Sequence, residues 1–289
     1  MNEIDLEKYK LPKNEYKLIN VNGHTILYSE SKNKDKKHVL FIHGLGASSF
    51  GWRDIPDALS EQFHTISLDL IGFGGSDKPQ EADYTIKGFS KFIVDFLRAI
   101  ELEHEKITAI VGHSLGGYIA LQFAIENKNL IEKLVLIDSS GKLNGPTTLL
   151  KQYLDAAMGY RIERFAPLKY ENLKGVFEKM YFRSSTLHPI VLGTFLDTIE
   201  EPYAKHAFKS AFDNSTGNRL RTEDLEKIKD IPCLILWGDS DNLIPLDEYS
   251  LEFLHDLPRA KLEIIRDSGH APFVEKTALV YERIRTFIT

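Results

Sequence analysis

Segment 107–117, with the sequence ITAIVGHSLGG, constrains the fold of this chain more than any other stretch. Apolar and β-branched residues typical of a strand lead directly into a Gly-x-Ser-x-Gly turn, and a helical pattern begins at Tyr118. A chain reversal this tight leaves no room for a Cβ on either side of the serine, so Gly112 and Gly116 fit where larger residues would clash. The pattern therefore predicts that Ser114 projects from the carboxyl edge of a sheet, beside helix N–H groups that stabilise developing negative charge.

The rest of the chain alternates between strand and helix patterns around this turn. Apolar runs at 38–42, 134–137 and 232–237 are typical of strands that are buried on both faces. Near the N-terminus, Asn22-Gly23 separates two short strand patterns and predicts an antiparallel hairpin at one edge. The alternation favours an α/β fold, with a mostly parallel sheet and helices on both faces.

The alternation stops across residues 142–230. This segment carries aromatic and long apolar residues at irregular helical spacings, interrupted by prolines. Helices that are apolar on more than one side must cover another surface, and the nearest candidate is the mouth of the sheet where Ser114 emerges. We interpret the segment as a helical insertion over that mouth; the alternative is one more layer of ordinary helical packing.

Composition excludes several classes of function. The 289 residues carry a net charge of -6 with lysine and arginine scattered along the chain, so no basic stripe points to nucleic acid or to an anionic membrane surface. The single cysteine, Cys233, lies in an apolar run and is predicted to be a buried core residue. No apolar stretch is long enough to span a bilayer and the first residues lack a signal-peptide core, so a cytoplasmic protein is predicted.

A glycine-rich loop after the strand pattern at 63–70 raises the alternative of nucleotide binding. Gly72, Gly74 and Gly75 resemble a phosphate loop, but the Asp-Lys-Pro sequence at 77–79 stands where a dinucleotide-binding fold begins its helix. This loop therefore predicts no cofactor.

A serine hydroxyl is a weak nucleophile at neutral pH, and it needs an imidazole as base and a carboxylate that holds the tautomer of that imidazole. Of the ten histidines, His270 alone follows the last predicted strand in a glycine-bearing loop. Three aspartates that follow predicted strands are candidates for the acid, namely Asp138, Asp239 and Asp241. Asp138 ends the wrong strand for the commonest arrangement and Asp239 is hardly clear of its own strand, but the residues alone leave all three open.

Two other histidines adjoin the predicted strand ends. His113 precedes the serine, but adjacent residues on a sharp turn point apart, so His113 is predicted to be a packing residue. His43 follows the strand pattern at 38–42 and is predicted to brace its loop by hydrogen bonding.

Five motifs together indicate a family: HGLG at 43–46, DLIGFGGS at 69–76, GHSLGG at 112–117, GDSD at 238–241 followed by Pro245, and SGH at 268–270. In this order, and over nearly the whole chain, they resemble the α/β-hydrolase superfamily, in particular its serine carboxylesterases with a helical cap. The resemblance implies the α/β-hydrolase fold, with a mostly parallel eight-stranded sheet and helices on both faces. It also implies a core formed by 1–141 and 231–289, with a cap inserted at 142–230.

The same resemblance implies roles for individual residues. Ser114 matches the nucleophile, His270 the base, and Asp241, the last residue of Gly-x-x-Asp, the acid. The backbone N–H groups of Leu45 and Leu115 match the oxyanion hole, and neither a metal nor a cofactor takes part. A serine at the turn argues against the relatives that use aspartate there, the epoxide hydrolases and the haloalkane dehalogenases.

The resemblance thus implies an enzyme that cleaves a small-molecule carboxylic ester through an acyl-enzyme, with an apolar acyl group because 142–230 carries many apolar and aromatic residues. The alternative is a carbon–carbon hydrolase of the ring-cleavage-product type. Those enzymes usually carry tryptophan after the base, where this chain has Ala271, but Arg161, Arg164 or Arg183 offers a partner for a substrate carboxylate. Thioester hydrolysis, perhydrolysis and a receptor role without catalysis stay open, and a monomer or homodimer is predicted.

Overall fold

The computed structural model describes residues 14–52, 54–159, 166–187 and 189–289. The strands within these residues are β1 (Glu15–Val21), β2 (His24–Glu30), β3 (His38–Ile42), β4 (His64–Leu68), β5 (Ile107–His113), β6 (Ile131–Ile137), β7 (Cys233–Gly238) and β8 (Ala260–Ile265). They form one eight-stranded sheet in the order β1-β2-β4-β3-β5-β6-β7-β8. Strand β5 therefore lies near the centre of the sheet, between β3 and β6.

The sheet is parallel except at one edge. Strands β1 and β2 form an antiparallel hairpin, closed by Asn22 and Gly23 with φ angles of 53° and 91°. Strand β2 pairs antiparallel with β4, and the pairs from β4 through β3, β5, β6 and β7 to β8 are parallel. The predicted mostly parallel eight-stranded sheet with an antiparallel edge hairpin is confirmed.

Helices connect the strands. In the described residues they are α1 (Asp54–Leu59), α2 (Ile86–Ala99), α3 (Leu115–Glu126), α4 (Thr148–Gly159), α5 (Ala166–Met180), α6 (Pro189–Ile199), α7 (Ala204–Gly217), α8 (Thr222–Leu225), α9 (Leu246–Asp256), α10 (Pro272–Glu275) and α11 (Thr277–Ile288). None of those described helices combines the length and apolar character that crossing a bilayer requires.

The core lies on both faces of the sheet because successive side chains of a strand point to opposite sides. Leu40 and Ile42 of β3 join an apolar cluster that contains residues of α2 and α3. Val39 and Phe41 of the same strand join a second cluster that contains residues of α1 and α11. The predicted helices on both faces are therefore confirmed.

Helix α2 shows how the sequence specifies these elements. The Thr85 hydroxyl accepts a hydrogen bond from the Gly88 N–H at 3.0 Å and so caps the first turn. The apolar stripe at helical spacing is buried, and it consists of Phe89, Phe92, Ile93, Phe96 and Leu97.

Helices α4 to α8 occupy the chain between β6 and β7, and residues of α4, α5 and α6 lie near the carboxyl edge of the sheet. Their aromatic rings interlock: the Tyr153 ring centroid lies 5.5 Å from that of Phe177, 5.7 Å from Phe195 and 5.1 Å from Phe208. The Tyr153 hydroxyl donates to the Leu45 carbonyl oxygen in the loop after β3, at 3.2 Å. This contact fixes α4 directly above the strand ends.

Candidate active site

Ser114 occupies the turn between β5 and α3 in a strained backbone conformation. Its φ of 52° and ψ of -119° lie outside the regions that side-chain-bearing residues prefer. Hydrogen bonds hold the turn in this state, since the Ser114 N–H donates to the Ile137 carbonyl at 3.0 Å and its carbonyl accepts from the N–H groups of Gly117 and Ser140 at 3.0 and 3.1 Å. The strain is thus offset by neighbouring backbone, which leaves the Ser114 side chain fixed at the strand end.

The glycines on either side of Ser114 are required by close backbone approach. A Cβ on Gly112 would lie 2.4 Å from the Gly116 carbonyl oxygen, and a Cβ on Gly116 would lie 2.1 Å from the Ile42 carbonyl oxygen. Both distances are far shorter than van der Waals contact, and the atoms met are backbone atoms that cannot move aside. The steric reason inferred from the sequence therefore holds at both positions.

His270 and Asp241 form a buried pair. The His270 Nδ1 and the Asp241 Oδ2 are 2.8 Å apart, and each residue is 5% exposed. The Asp241 Oδ1 also accepts hydrogen bonds from the N–H groups of Leu243 and Ile244, at 2.8 and 3.0 Å. Because a carboxylate only accepts, the His270 Nδ1 carries the hydrogen and its Nε2 is left to take up a proton.

The two other candidate acids have different surroundings. Asp239 is exposed, and its Oδ1 accepts from the Ser240 hydroxyl at 3.0 Å and from the Ser268 N–H at 3.4 Å. Asp138 is fully buried, with a φ of 43°, and its Oδ1 accepts from the Gly238 N–H at 2.9 Å. Burial and the negative charge of Asp241 raise the pKa of Asp138 well above its usual range.

Asp138 lies beside the pair, whereas the sequence reasoning considered it only as an alternative to Asp241. Ligand-type atoms of Asp138, Asp241 and His270 all lie within 4.8 Å of one another, the one such cluster in the described part of the chain. The hydrogen bond between His270 and Asp241 occupies the space that a cation would need, so we interpret the cluster as an acid–base group. A signal was available, since both aspartates follow strands, but the sequence does not reveal that β6 and β7 are neighbours.

His113 packs against the base. Its Nε2–H donates to the His270 carbonyl oxygen at 2.7 Å, and the two rings lie 4.7 Å apart between centroids. Burial, together with repulsion from His270 whenever that ring is protonated, holds the pKa of His113 well below its usual value, so His113 stays neutral. The predicted packing role is confirmed, with an added hydrogen bond to the backbone of the base.

His43 braces the loop after β3, as predicted. Its Nδ1–H donates to the Gly44 carbonyl at 2.8 Å and its Nε2 accepts from the Leu70 N–H at 3.0 Å. Burial lowers the pKa of His43, which keeps the neutral form that this pair of bonds requires.

Leu45 and Leu115 flank Ser114 from two elements. Leu45 lies in the braced loop after β3, and the preceding Gly44 approaches so closely that a Cβ there would lie 3.1 Å from the Ser114 Cβ. Leu115 is the first residue of α3, so its N–H has no acceptor in a preceding helical turn. Two backbone segments thus converge on the serine side chain.

A cavity separates the strand ends from α4, α5 and α6, and Ser114 and His270 both line it. Its other described lining residues are mostly aliphatic or aromatic: Leu45, Ala47, Phe50, Leu150, Tyr153, Phe177, Met180, Tyr181, Val191, Phe195, Leu243, Ala271, Phe273 and Val274. Hydroxyl groups come from Ser48, Thr194 and Thr198. Among the described lining residues there is no lysine, arginine, aspartate or glutamate.

The arginines that sequence reasoning offered as carboxylate partners are not among these lining residues. Arg183 is exposed, with its guanidinium carbon 5.8 Å from the Phe182 ring centroid. Arg161 and Arg164 lie outside the described residues.

Glu275 of α10 joins the loop of His270 to the turn after α5. Its Oε2 accepts from the Gly269 N–H at 2.6 Å, and its Oε1 accepts from the N–H groups of Phe182 and Arg183 at 3.0 and 3.2 Å. A further direct bond joins the same elements, from the His270 N–H to the carbonyl of Met180 at 2.7 Å. Sequence reasoning missed Glu275 because, without the fold, it is indistinguishable from a surface glutamate.

Comparison with known proteins agrees with the fold and indicates a hydrolase. The family profile described as "alpha/beta hydrolase fold" matches residues 37–277. Lipase 1 of Psychrobacter immobilis is 28% identical over 284 residues, which cover 92% of this chain and 82% of the lipase. The 2-hydroxy-6-oxo-2,4-heptadienoate hydrolase of Pseudomonas putida is 27% identical over 258 residues, which cover 86% of this chain and 88% of that enzyme.

A solved structure shares the architecture. The crystal structure of naproxen esterase from Bacillus subtilis superposes with a TM-score of 0.80 at 18% identity, covering 98% of this chain and 94% of the esterase. The chain therefore belongs to the α/β-hydrolase fold family and is a hydrolase of that family.

Proposed function

We propose that the protein is a serine hydrolase that cleaves carboxylic esters, with Ser114 as nucleophile, His270 as base and Asp241 as acid. One observation carries the proposal: the base that is hydrogen-bonded to a buried carboxylate lines the same cavity as the serine of the strained turn. This is the arrangement that serine acyl transfer requires.

The reaction follows from the assigned hydrogens. The His270 Nε2 removes the proton from the Ser114 hydroxyl as the serine oxygen attacks the ester carbonyl, and Asp241 stabilises the imidazolium that forms. The imidazolium then protonates the alcohol that leaves, which produces the acyl-enzyme. Water, activated by the same imidazole, attacks the acyl carbon and regenerates the serine.

The backbone N–H groups of Leu45 and Leu115 donate to the oxyanion in both tetrahedral intermediates. Support comes from their position, since the loop of Leu45 approaches the Ser114 side chain and Leu115 begins α3. A single oxyanion donor of this kind is worth about 3 to 4 kcal/mol of transition-state stabilisation.

The chain divides functionally into a catalytic core, 1–141 and 231–289, and a cap, 142–230. The cap assignment is supported by α4, α5 and α6, which contribute residues to the cavity that also contains Ser114. It is further supported by the bonds that connect this segment to the loops of Leu45 and His270. In this division the core performs the chemistry and the cap selects the substrate.

The substrate is a small ester with an uncharged, apolar acyl group. Described cavity residues carry aliphatic and aromatic side chains without a fixed positive charge, so a carboxylate on the substrate would lose its hydration without gaining a partner. The similarity to Lipase 1 of Psychrobacter immobilis also favours an ester substrate. Carbon–carbon bond hydrolysis is the second candidate, on the similarity to the heptadienoate hydrolase of Pseudomonas putida.

Steady-state kinetics test the proposal. Wild-type protein, Ser114→Ala and the exposed control Ser184→Ala are assayed with nitrophenyl esters of increasing acyl length and with a ring-cleavage-type dienoate. We expect ester turnover by the wild type and the control, and a loss of about 10⁴-fold or more in Ser114→Ala. Ester turnover that survives in Ser114→Ala overturns the assigned nucleophile, and a higher kcat/KM for the dienoate overturns the ester substrate.

A further inference from the structure

Asp138 brings a second buried carboxyl group to the acid of the proposed triad. It follows β6, while Asp241 follows β7, and these strands are parallel neighbours whose carboxyl ends lie side by side. The Asp138 side chain is anchored at one oxygen, where Oδ1 accepts from the Gly238 N–H. Its Oδ2 is buried and meets no hydrogen-bond donor among the described residues.

The two carboxyl groups are unequally supplied with donors. Asp241 accepts three hydrogen bonds, from Leu243 N–H, Ile244 N–H and His270 Nδ1–H. Asp138 accepts one, from Gly238. Hydrogen bonds from N–H groups stabilise the ionised form of a carboxyl, so the negative charge of this pair belongs on Asp241.

The surrounding charges favour a state in which Asp138 and Asp241 together hold one proton. The titratable groups that face Asp138 are Asp241, with His270 just beyond it, and Glu275 on α10, whose negative charge also acts on Asp138. Oxygen atoms of the two carboxyl groups lie within 4.8 Å of each other in a buried site. Ionising both would cost a large electrostatic free energy, as in the acid pairs of other enzymes. An acid proton on the Asp138 Oδ2 would satisfy an otherwise unpaired buried oxygen and remove the repulsion.

We propose that Asp138 keeps its proton and donates a hydrogen bond to Asp241, which makes it a positioning residue of the triad. This inference rests on the proposed function. The neutral carboxyl orients Asp241 through this hydrogen bond and withdraws part of its negative charge. Burial and the charge of Asp241, which raise the pKa of Asp138, agree with this state.

Asparagine is the matched probe of this arrangement. Its amide N–H replaces the acid O–H as donor to Asp241, and its amide oxygen still accepts from Gly238. Asparagine also tolerates the left-handed backbone that Asp138 adopts, with a φ of 43°. Asp138→Ala removes both interactions, so Asp241 loses the hydrogen bond from position 138.

The pH dependence of kcat/KM separates a protonated Asp138 from an ionised one. We expect Asp138→Ala to lose roughly tenfold or more, and Asp138→Asn to recover most of that loss. We expect the acid limb to move to higher pH in Asp138→Ala, because Asp241 regains its full negative charge beside His270, and to stay in place in Asp138→Asn. An acid limb that moves to lower pH in Asp138→Asn overturns the proposal, since it reports the removal of a negative charge.

Infrared difference spectroscopy gives a readout that does not depend on activity. Spectra of Ser114→Ala and of Ser114→Ala/Asp138→Asn are compared near neutral pH, together with a check of folding by circular dichroism. We expect the carbonyl stretch of a protonated carboxylic acid in the first protein and its absence in the second. If no such band is lost, Asp138 is ionised and the inference is wrong, whether or not Ser114 proves to be the nucleophile.

Discussion

At the scale of single residues, the chemistry depends on which carboxylate reaches His270. Asp241 lies 2.8 Å from the His270 Nδ1, whereas Asp239 is exposed and contacts Ser240 and Ser268. The two aspartates are two positions apart in one loop, so they form a natural pair for comparison.

Replacing the two loop aspartates by asparagine tests the proposed acid. Asp241→Asn favours the wrong His270 tautomer, so we expect kcat to fall by about 10³- to 10⁴-fold with intact folding. Asp239→Asn serves as the control, and we expect it to stay within about threefold of wild type because surface changes of this kind are nearly neutral. A larger loss in Asp239→Asn than in Asp241→Asn, measured as ester turnover, contradicts the assignment.

The sequence contained much of the candidate site but not the contacts that support it. Local motifs singled out Ser114 and His270, whereas Asp241 was chosen among three candidate aspartates only through the resemblance to a family, and all three roles are proposals. Asp138 was one of the three candidate acids, but its place beside Asp241 was not predictable, because chain order records which strand a residue follows and not which strands are neighbours. Glu275 was missed for a related reason, since two of its partners, Phe182 and Arg183, lie about 90 residues away in the chain.

At the scale of secondary structure elements, the tight turn between β5 and α3 depends on close packing of backbone against backbone. Gly116 of α3 faces the carbonyl oxygen of Ile42 in β3, whereas Gly175 in α5 would place a Cβ in open space. Replacing these two glycines by alanine is therefore expected to change the free energy of unfolding in opposite directions.

Alanine at each of these glycines tests the packing. We expect Gly116→Ala to lower the free energy of unfolding by about 2 to 3 kcal/mol, because strand and helix must move apart. In Gly175→Ala we expect a gain of about 0.5 to 1 kcal/mol, since alanine is the better helix former. Chemical denaturation measures both, and equal effects at the two sites would rule out the steric account.

The contact between α10 and the turn after α5 predicts a second effect at this scale. Glu275→Ala removes the acceptor that ties Gly269 to Phe182 and Arg183, so the turn after α5 and the loop of His270 are no longer joined through this side chain. We expect a higher KM and a kcat lower by roughly three- to tenfold.

Glu282→Ala, which removes a surface ion pair on α11, is the control for Glu275→Ala. We expect this variant to match the wild type, because exposed ion pairs contribute little. Ester kinetics for both variants that are indistinguishable from wild type would show that Glu275 does not couple the two elements.

At the scale of the whole molecule, acid–base networks lie at both ends of the sheet. Far from Ser114, His38 and His64 begin β3 and β4, and their Nδ1 atoms are 2.8 Å apart. The His64 Nε2–H donates to the buried Glu30 at 3.0 Å, and Lys17 and Lys34 pair with the same carboxylate. Burial alone would raise the pKa of Glu30, but these hydrogen bonds outweigh it and lower the pKa to about 2.

The Glu30 network predicts a pH dependence of stability. The folded pKa lies below the ordinary value of 4.5, so the stabilisation by ionised Glu30 is complete above about pH 4.5 and is lost as pH falls towards about 2. We expect Glu30→Gln to be less stable than wild type by roughly 1 to 3 kcal/mol at neutral pH, and this difference to shrink below pH 4.5.

Denaturant titrations at several pH values measure this difference, with the exposed Glu15→Gln as control. We expect the control to differ little from wild type throughout the pH range. A gap between wild type and Glu30→Gln that widens on acidification contradicts the network. Because the cluster lies at the opposite end of the sheet from Ser114, we expect near-normal ester turnover in Glu30→Gln.

The overall architecture was predictable because its central strands β3, β5, β6 and β7 are largely apolar runs that end at glycine-bearing loops. The order of those strands was not predicted, since pairing between β3 and β5 joins residues about 70 positions apart. The course of the described parts of 142–230 was not predictable beyond their helical character, because the apolar residues there contact one another and the loops after the strands rather than one regular surface.

The most direct test of the account is to trap the acyl-enzyme and identify the residue that carries it. Wild-type protein is mixed with a nitrophenyl ester, quenched in acid before steady state, digested and analysed by mass spectrometry. We predict the mass of one acyl group on the peptide that contains Ser114, and no adduct in Ser114→Ala. An acyl group on another residue, or ester turnover by wild type with no adduct under conditions where release is slow, would contradict the assignment of Ser114 as the nucleophile.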